Sequence, residues 1–250
     1  MKTSDRTIAL LRLFTVERPE WAVDEAAHEL EMTLSTAYRY FRSLNANGFI
    51  CSYSTGKYVL GPAFMKYDRQ IRLLDPLLTA ASAVLDELAN ELPPETVVLL
   101  CKLYDTEVMC IDQRQPRGTV FASSYERGRP MPLQFGAASK VILANLPVRM
   151  IKALHSRDPE QMVRAGLGQD WKEVSRSLRA IRNAGTFETQ GELHPDMQGI
   201  AAPIVADGRQ PLGSIATVRA AGGSGEVTQQ IRERLTQAAY RIAEIMRSGA

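Results

Sequence analysis

Ser35, Arg39 and Arg42 are spaced at i, i+4 and i+7, which places them on one face of a predicted helix. Arginine binds a phosphate or the O6 and N7 atoms of guanine, and hydroxyls at a helix start donate to phosphates. Ala37 and Phe41 lie on the opposite face, as expected of a helix that packs on a small core and enters the major groove. The alternative is an ordinary solvated helix face. The predicted DNA-binding residues are Ser35, Thr36, Tyr38, Arg39, Arg42, Ser43 and Lys57.

The distribution of charge supports DNA binding more than the total charge does. The net charge is only +2 over 250 residues, so the chain has no global basic bias toward nucleic acid. From Met32 to Tyr67, however, there is no acidic residue, while lysines and arginines give this stretch a local charge of +4. Such a stretch indicates a surface that is held against an anion.

The elements that would position these residues follow the order of a winged helix-turn-helix. Apolar spacing predicts helices at about residues 4–16, 23–30 and 34–46. Alternating residues around a turn predict a β-hairpin, the wing, at about 49–60, with Lys57 at its tip. Residues 1–62 are therefore predicted to form a DNA-binding domain.

Residues 63–92 are predicted to be helical, in two segments split near Asp75-Pro76. One interpretation is a linker or dimerisation helix, and residues 63–75 are assigned as the linker. The other interpretation is simple packing against the domain that follows.

Residues 95–250 are predicted to form one α+β domain. The predicted strands cover about residues 95–103, 107–113, 118–125, 186–190, 199–206 and 211–219. The predicted helices cover about residues 136–146, 147–155, 170–184 and 227–247. Strands at both ends with helices between them favour an antiparallel sheet that helices cover on one side.

Composition excludes several classes of protein. The residues are 45% hydrophobic and 23% charged, which is typical of a globular chain and not of a disordered one. No apolar run approaches about 18 residues, so no transmembrane helix or membrane partner is expected. The N-terminal residues do not resemble a signal peptide, and three cysteines are too few for a disulfide framework. A cytoplasmic protein is therefore expected.

The sequence lacks the patterns of an enzyme. His28, His155 and His194 are far apart and have no metal-type partners at motif spacing. There is no Walker A, Gly-x-Gly-x-x-Gly or Gly-x-Ser-x-Gly motif. Neither catalysis, nor a cofactor, nor a metal is expected, and Glu192 and His194 are expected to be a solvated pair.

A redox-sensing regulator remains an open alternative. Cys101 and Cys110 lie on adjacent predicted strands, close enough for a disulfide to be considered. The competing interpretation is a pair of buried, reduced thiols, which is the common state of cysteine in such a chain.

The first part of the chain resembles a known family of regulators. Leu34–Gly48 resembles the recognition helix of the IclR family of bacterial transcription regulators, whose Ser-Thr-x-x-Arg core stands here as Ser35–Arg39. Tyr58–Gly61 resembles the end of the family's wing.

The second part resembles the same family. Met131–Ala144 resembles its Leu-Pro-x-x-x-x-x-x-Gly-Lys-x-x-Leu-Ala motif, with Ser139 in place of the usual glycine and Phe135 in place of a small residue. Gly191-Glu192 and Gly199–Ile204 resemble its C-terminal signature. The likeness covers nearly the whole chain in order.

The resemblance implies a winged helix-turn-helix joined by a helix to a GAF/PAS-like effector-binding domain, residues 76–250. It implies homodimers or dimers of dimers on pseudo-palindromic operators, controlled by a small metabolite. The effector positions that it implies are Val120, Ser123, Met131, Ala137, Ala138, Thr189, Met197, Gly199, Ala216 and Val218. Gly199, Ala216 and Val218 are small or apolar, which favours an aromatic acid or amide, and the backbone amides near Ala137–Ser139, at a helix start, would hold a carboxylate. The alternative is that these residues are simply core.

Overall fold

The computed structural model describes residues 3–115, 126–206 and 210–249. The chain divides into two compact units, Met1–Leu74 and Asp75–Ala250. The predicted strand at 118–125 and the predicted turn at 207–209 lie outside the described residues.

The first unit has the predicted winged helix-turn-helix order. Its elements are α1 (Thr3–Arg12), β1 (Trp21–Ala22), α2 (Val23–Glu29), α3 (Leu34–Ala46), β2 (Ile50–Ser54), β3 (Lys57–Leu60) and α4 (Ala63–Leu74). The buried core includes Leu10, Trp21, Ala37 and Phe41, to which the first three helices and β1 contribute. The ring of Phe41 also meets the ring of Tyr58 edge-on, with centroids 5.0 Å apart, so the wing is anchored to the recognition helix.

One strand of the first unit was not predicted. β1 pairs antiparallel with β3 and makes the hairpin a three-stranded sheet of order β1-β3-β2. A two-residue strand is too short for alternation of side chains to reveal it in the sequence.

The second unit is built on a six-stranded antiparallel sheet of order β6-β5-β4-β9-β8-β7. Its strands are β4 (Val97–Tyr104), β5 (Glu107–Arg114), β6 (Pro130–Pro132), β7 (Phe187–Gln190), β8 (Met197–Val205) and β9 (Pro211–Ala220). Its helices are α5 (Pro76–Glu91), α6 (Ala137–Asn145), α7 (Val148–Arg157), α8 (Pro159–Arg164), α9 (Trp171–Ala184) and α10 (Gly225–Ser248). The strand β6 and the helix α8 were not predicted.

Helices cover both faces of this sheet, so the prediction of a sheet covered on one side is wrong. Leu99 and Cys101 of β4 belong to a core beneath α6 and α9, whereas Val98 and Leu100 belong to a second core beneath α5 and α10. Successive side chains of a strand point to opposite faces, and an uninterrupted apolar strand therefore supplies two cores.

The two helical segments of residues 63–92 have different environments. α5 buries Leu77, Val84 and Leu88 against β4 and α10, which confirms the packing interpretation for this segment. α4 has no buried residue. In the described parts of the chain, no helix is both long enough and apolar enough to cross a bilayer.

Candidate functional site

The polar face of α3 is open in the structure as the sequence predicts. Ser35, Tyr38, Arg39, Arg42 and Ser43 are exposed, and Thr36 is half-buried. Ala37, Tyr40, Phe41 and Leu44 are buried on the other side of the helix. Within the described residues, neither Arg39 nor Arg42 has a carboxylate partner, so both guanidinium groups are available to an anion.

The start of α3 has a side-chain cap and no acidic residue. Thr33 caps the helix, since its hydroxyl oxygen accepts from the Thr36 amide at 3.3 Å and its hydroxyl donates to the Thr36 hydroxyl at 2.9 Å. No acidic residue lies in the first turn, so the partial positive charge of the helix N-terminus is not neutralised by the chain itself. No pattern in the sequence predicted this capping role of Thr33.

Lys57 is placed differently from its prediction as a free cation at the wing tip. Its Nζ lies 2.6 Å from Oε1 of Glu20, and the hydrogen bond with that carboxylate raises the pKa of Lys57. The cause is β1, which pairs Ala22 with Lys57 and brings the neighbouring Glu20 alongside. The tip instead exposes hydroxyl groups, among them that of Tyr53, whose side chain is 75% exposed.

In the second unit, the predicted effector positions that the structure describes cluster on one face of the sheet. Met131, Ala137, Ala138, Ala216 and Val218 belong to the core beneath α6. Thr189 and Met197 are half-buried, and Gly199 is buried. Val120 and Ser123 lie outside the described residues.

Gly199 is the point at which these positions meet. Thr189 of β7, Gly199 of β8 and Val218 of β9 form one row across the sheet. A Cβ atom on Gly199 would lie 3.2 Å from the Thr189 hydroxyl oxygen and 3.7 Å from Cβ of Ala137. The first distance is shorter than ordinary van der Waals contact, so glycine is what lets Thr189 and the start of α6 approach β8 this closely.

The start of α6 is polar and almost closed to solvent. Gly136 precedes the helix with φ +81°, a left-handed conformation that favours glycine, and no side chain of its own caps the helix. The Gly136 amide donates to Oε2 of Glu192 at 3.3 Å, and Lys140 Nζ lies 2.5 Å from Oε1 of the same residue. The expectation of a solvated Glu192–His194 pair is therefore wrong, because a buried lysine in the next turn binds this carboxylate.

A cavity lies elsewhere in this unit, and none of the predicted effector residues lines it. Its volume is about 230 Å³. Its lining is mostly apolar and consists of Asp105, Thr106, Leu133, Leu146, Met150, Ala153, Leu154 and Arg157. It is an alternative ligand site against which the predicted one must be tested.

The two central cysteines are opposite each other but inaccessible. Cys101 and Cys110 are paired in register on β4 and β5, both are completely buried, and both are free thiols. A hydrogen bond with Cys110, reinforced by burial, holds the pKa of Cys101 well above its usual value. Both effects oppose formation of the thiolate that disulfide exchange needs. Among the described residues, no cluster of His, Cys, Asp or Glu could hold a metal ion.

Solved structures of other proteins share this architecture over the whole chain. A homologue of IclR from Microbacterium hydrocarbonoxydans, solved with 4-hydroxybenzoate, superposes with a TM-score of 0.79 at 18% identity and covers 99% of this chain and 100% of its own. An IclR regulator from Alicyclobacillus acidocaldarius gives a TM-score of 0.78 at 20% identity, with 98% of each chain covered. At these identities the likeness shows the fold alone.

Sequence comparison identifies the family. The chain is 26% identical over 247 residues to the HTH-type transcriptional regulator KipR of Bacillus subtilis (strain 168), covering 97% of this chain and 96% of that relative. A family model described as the IclR helix-turn-helix domain matches residues 3–51. A second, described as the C-terminal part of the bacterial transcriptional regulator IclR, matches residues 74–244, which is more than half of the chain. The chain therefore belongs to the IclR family of bacterial regulators, which bind DNA and control transcription and are not enzymes.

Proposed function

We propose that this regulator controls a catabolic operon through a small aromatic acid or amide that binds the second unit. The observation that carries the proposal is the meeting of Ala137, Thr189 and Gly199 beside the first turn of α6, whose N-cap residue is a glycine without a capping side chain. Helix-start amides bind carboxylate or carbonyl oxygens, and the apolar surface around them suits an aromatic ring. A structural relative that was solved with 4-hydroxybenzoate supports this class of ligand.

The proposed effector site comprises the positions named in the sequence analysis. Ala216 and Val218 would contact the ring from the sheet, with Met131 and Ala138 beside them. The loop between Thr189 and Gly199 would form the mouth.

The proposed DNA contacts are the exposed residues of α3. Arg39 would reach base edges and Arg42 a phosphate, with Ser35 and Thr36 at phosphates near the helix N-terminus. Tyr38 and Ser43 would flank them. Lys57 is retained as a backbone contact only if DNA competes with Glu20 for its ammonium group.

We also propose a homo-oligomer, either a dimer or a dimer of dimers. One recognition helix reads too few base pairs to select a site in a genome, so two half-sites are needed. α4 carries Phe64, Tyr67, Ile71 and Leu74 at alternating spacings of three and four residues, and all four are at least 39% exposed. That spacing is typical of a helix-pairing seam. In this scheme residues 1–62 bind DNA, 63–75 link, and 76–250 bind the effector.

Two measurements test the proposal. A promoter fragment taken from beside this gene should be retained specifically, and 4-hydroxybenzoate or 4-hydroxybenzamide should raise the melting temperature and change DNA affinity. Ala137→Phe should abolish the thermal shift while leaving DNA binding intact, because the ring fills the proposed cavity.

The matched control is Ala153→Phe, which fills the other cavity. A thermal shift that survives Ala137→Phe and disappears with Ala153→Phe would move the effector to that cavity. Stabilisation by two-carbon acids and not by aromatic ligands would contradict the aromatic class.

A further inference from the structure

Lys140 is a buried cation that joins three segments of the second unit. Its side chain is 7% exposed. Its Nζ donates to Oε1 of Glu192 at 2.5 Å and to the carbonyl of Ala165 at 2.7 Å. The lysine belongs to α6, Ala165 follows α8, and Glu192 lies in the loop between β7 and β8. Because a buried ammonium group must be paired, this contact fixes the three segments against one another.

Glu192 also acts on the start of α6. Its second oxygen, Oε2, accepts from the amide of Gly136, a residue 56 positions away, at 3.3 Å. A distant carboxylate thus supplies the N-terminal cap that Gly136 itself cannot provide. Among the described residues, no acceptor pairs with the next amides, those of Ala137 and Ala138, so these amides can donate to a ligand.

Backbone hydrogen bonds within the loop that carries Glu192 hold its two ends together. The Gly191 amide donates to the carbonyl of Met197 at 2.9 Å, and the Met197 amide donates to the carbonyl of His194 at 3.1 Å. The residues that flank the loop are Thr189 and Gly199, both in the proposed effector site. A shift of Glu192 would therefore move the loop relative to the start of α6.

We propose that Lys140 and Glu192 are positioning residues of the effector site. The pair sets the distance between the amides at the start of α6 and the Thr189–Gly199 side of the pocket. Neither side chain touches the ligand; both act through the Gly136 backbone and the loop. The inference rests on the proposed effector site, and it differs from a stabilising role because it ties the ion pair to ligand affinity.

The test compares two glutamate-to-glutamine variants of the full chain. Glu192→Gln keeps the shape of the side chain and removes its charge. Glu188→Gln is the matched control, because Glu188 pairs with Arg232 at 2.7 Å and its cross-strand partner, Ile200, packs in the core on the other face of the sheet. Calorimetric titration with 4-hydroxybenzoate and 4-hydroxybenzamide gives the affinity of each variant. For whichever probe binds the wild-type protein, Glu192→Gln should lower the affinity at least about tenfold, and Glu188→Gln should lower it less than about twofold.

Hydrogen exchange and a double-mutant cycle separate positioning from stability. Without ligand, Glu192→Gln should speed exchange in peptides covering residues 134–140 and 190–199 and leave α10 unchanged. Lys140→Met should lower the affinity for the probe as much as Glu192→Gln does. The double variant should lower that affinity no further, since the two residues act as one unit. The double variant also removes both charges, so it provides the affinity test if Glu192→Gln alone does not fold.

Each outcome decides the matter. Faster exchange with unchanged probe affinity would make the ion pair purely structural and overturn the inference while leaving the effector site standing. Unchanged exchange in both segments would overturn it as well. A wild-type protein that binds neither probe would remove the proposed aromatic effector, and this inference with it.

Discussion

At the scale of single residues, the two arginines of α3 have distinct expected roles. Arg39→Ala should cost about 1–3 kcal/mol of operator affinity and relax specificity if its guanidinium reads a base. Arg42→Ala should weaken specific and non-specific DNA alike and reduce the salt slope by about 1, as a phosphate contact does. Binding titrations at several salt concentrations measure both effects. Arg176→Ala, an exposed arginine in the second unit, is the control.

If both arginine variants bind the operator as tightly as the wild-type protein does, with unchanged thermal stability, then α3 does not contact the DNA in the proposed way.

The cysteines allow a second prediction at this scale. An aromatic disulfide reagent should titrate one thiol per native chain, that of the half-buried Cys51, and all three thiols after unfolding. Burial and the raised pKa of Cys101 keep it and Cys110 unreactive. Cys51→Ser should reduce the native count to none. Two fast equivalents from Cys101 and Cys110, accompanied by loss of DNA binding that a thiol reverses, would restore the redox-sensing alternative.

At the scale of elements, α5 shows how a helix start controls stability. Asp75 caps the helix by accepting from the amides of Leu77 and Leu78, and Lys102 Nζ lies 2.6 Å from its other oxygen. Burial raises the pKa of Asp75, but the hydrogen bond from Lys102 and those from the two amides outweigh it. The pKa is therefore below its usual value of 3.8. The folded state thus prefers the carboxylate.

The sign of the pH dependence follows from this lowered pKa. Asp75 contributes its full stability above about pH 4, and the contribution is lost as the pH falls through the folded pKa. Asp75→Ala should cost about 1–2 kcal/mol at pH 7. Asp75→Asn keeps the cap, so it should lower the free energy of unfolding at pH 7 by less than Asp75→Ala does. It should also show a smaller decrease in stability below about pH 4 than the wild-type protein, because it has no carboxylate to protonate. Denaturant unfolding at pH 7 and pH 3 measures this, and equal behaviour of the two variants would show that the charge is irrelevant.

At the scale of the whole molecule, α4 gives the prediction on assembly. Light scattering should find at least a dimer, with and without operator DNA. Ile71→Glu places a charge in the middle of the exposed seam and should shift the protein toward monomer. Operator affinity should then fall, because a monomer cannot bind both half-sites at once. Val148→Glu changes an exposed apolar residue of the second unit, 54% exposed, and should leave the mass unchanged. A stable wild-type monomer on DNA would refute the proposal.

Sequence alone determined the features that depend on local periodicity. The bounds of α3 agree with its predicted residues 34–46, because its apolar and polar residues separate cleanly around the helix. The division of 63–92 at Asp75-Pro76 was equally readable, because proline fixes a first helical turn and aspartate caps it. The family motifs could also be recognised from sequence, because each is a contiguous stretch of residues.

Only the tertiary structure decided what depends on contacts between distant residues. β1 joins the wing and turns Lys57 toward Glu20, and no period in the sequence signals a two-residue strand. The apolar run of β4 is consistent with burial on both faces of the sheet, but which helices supply the second layer depends on how the whole chain packs. The contact of Lys140 with Glu192 joins two motifs 52 residues apart. Their charges are visible in the sequence, but burial of the lysine, which makes the pairing obligatory, is a property of the folded chain.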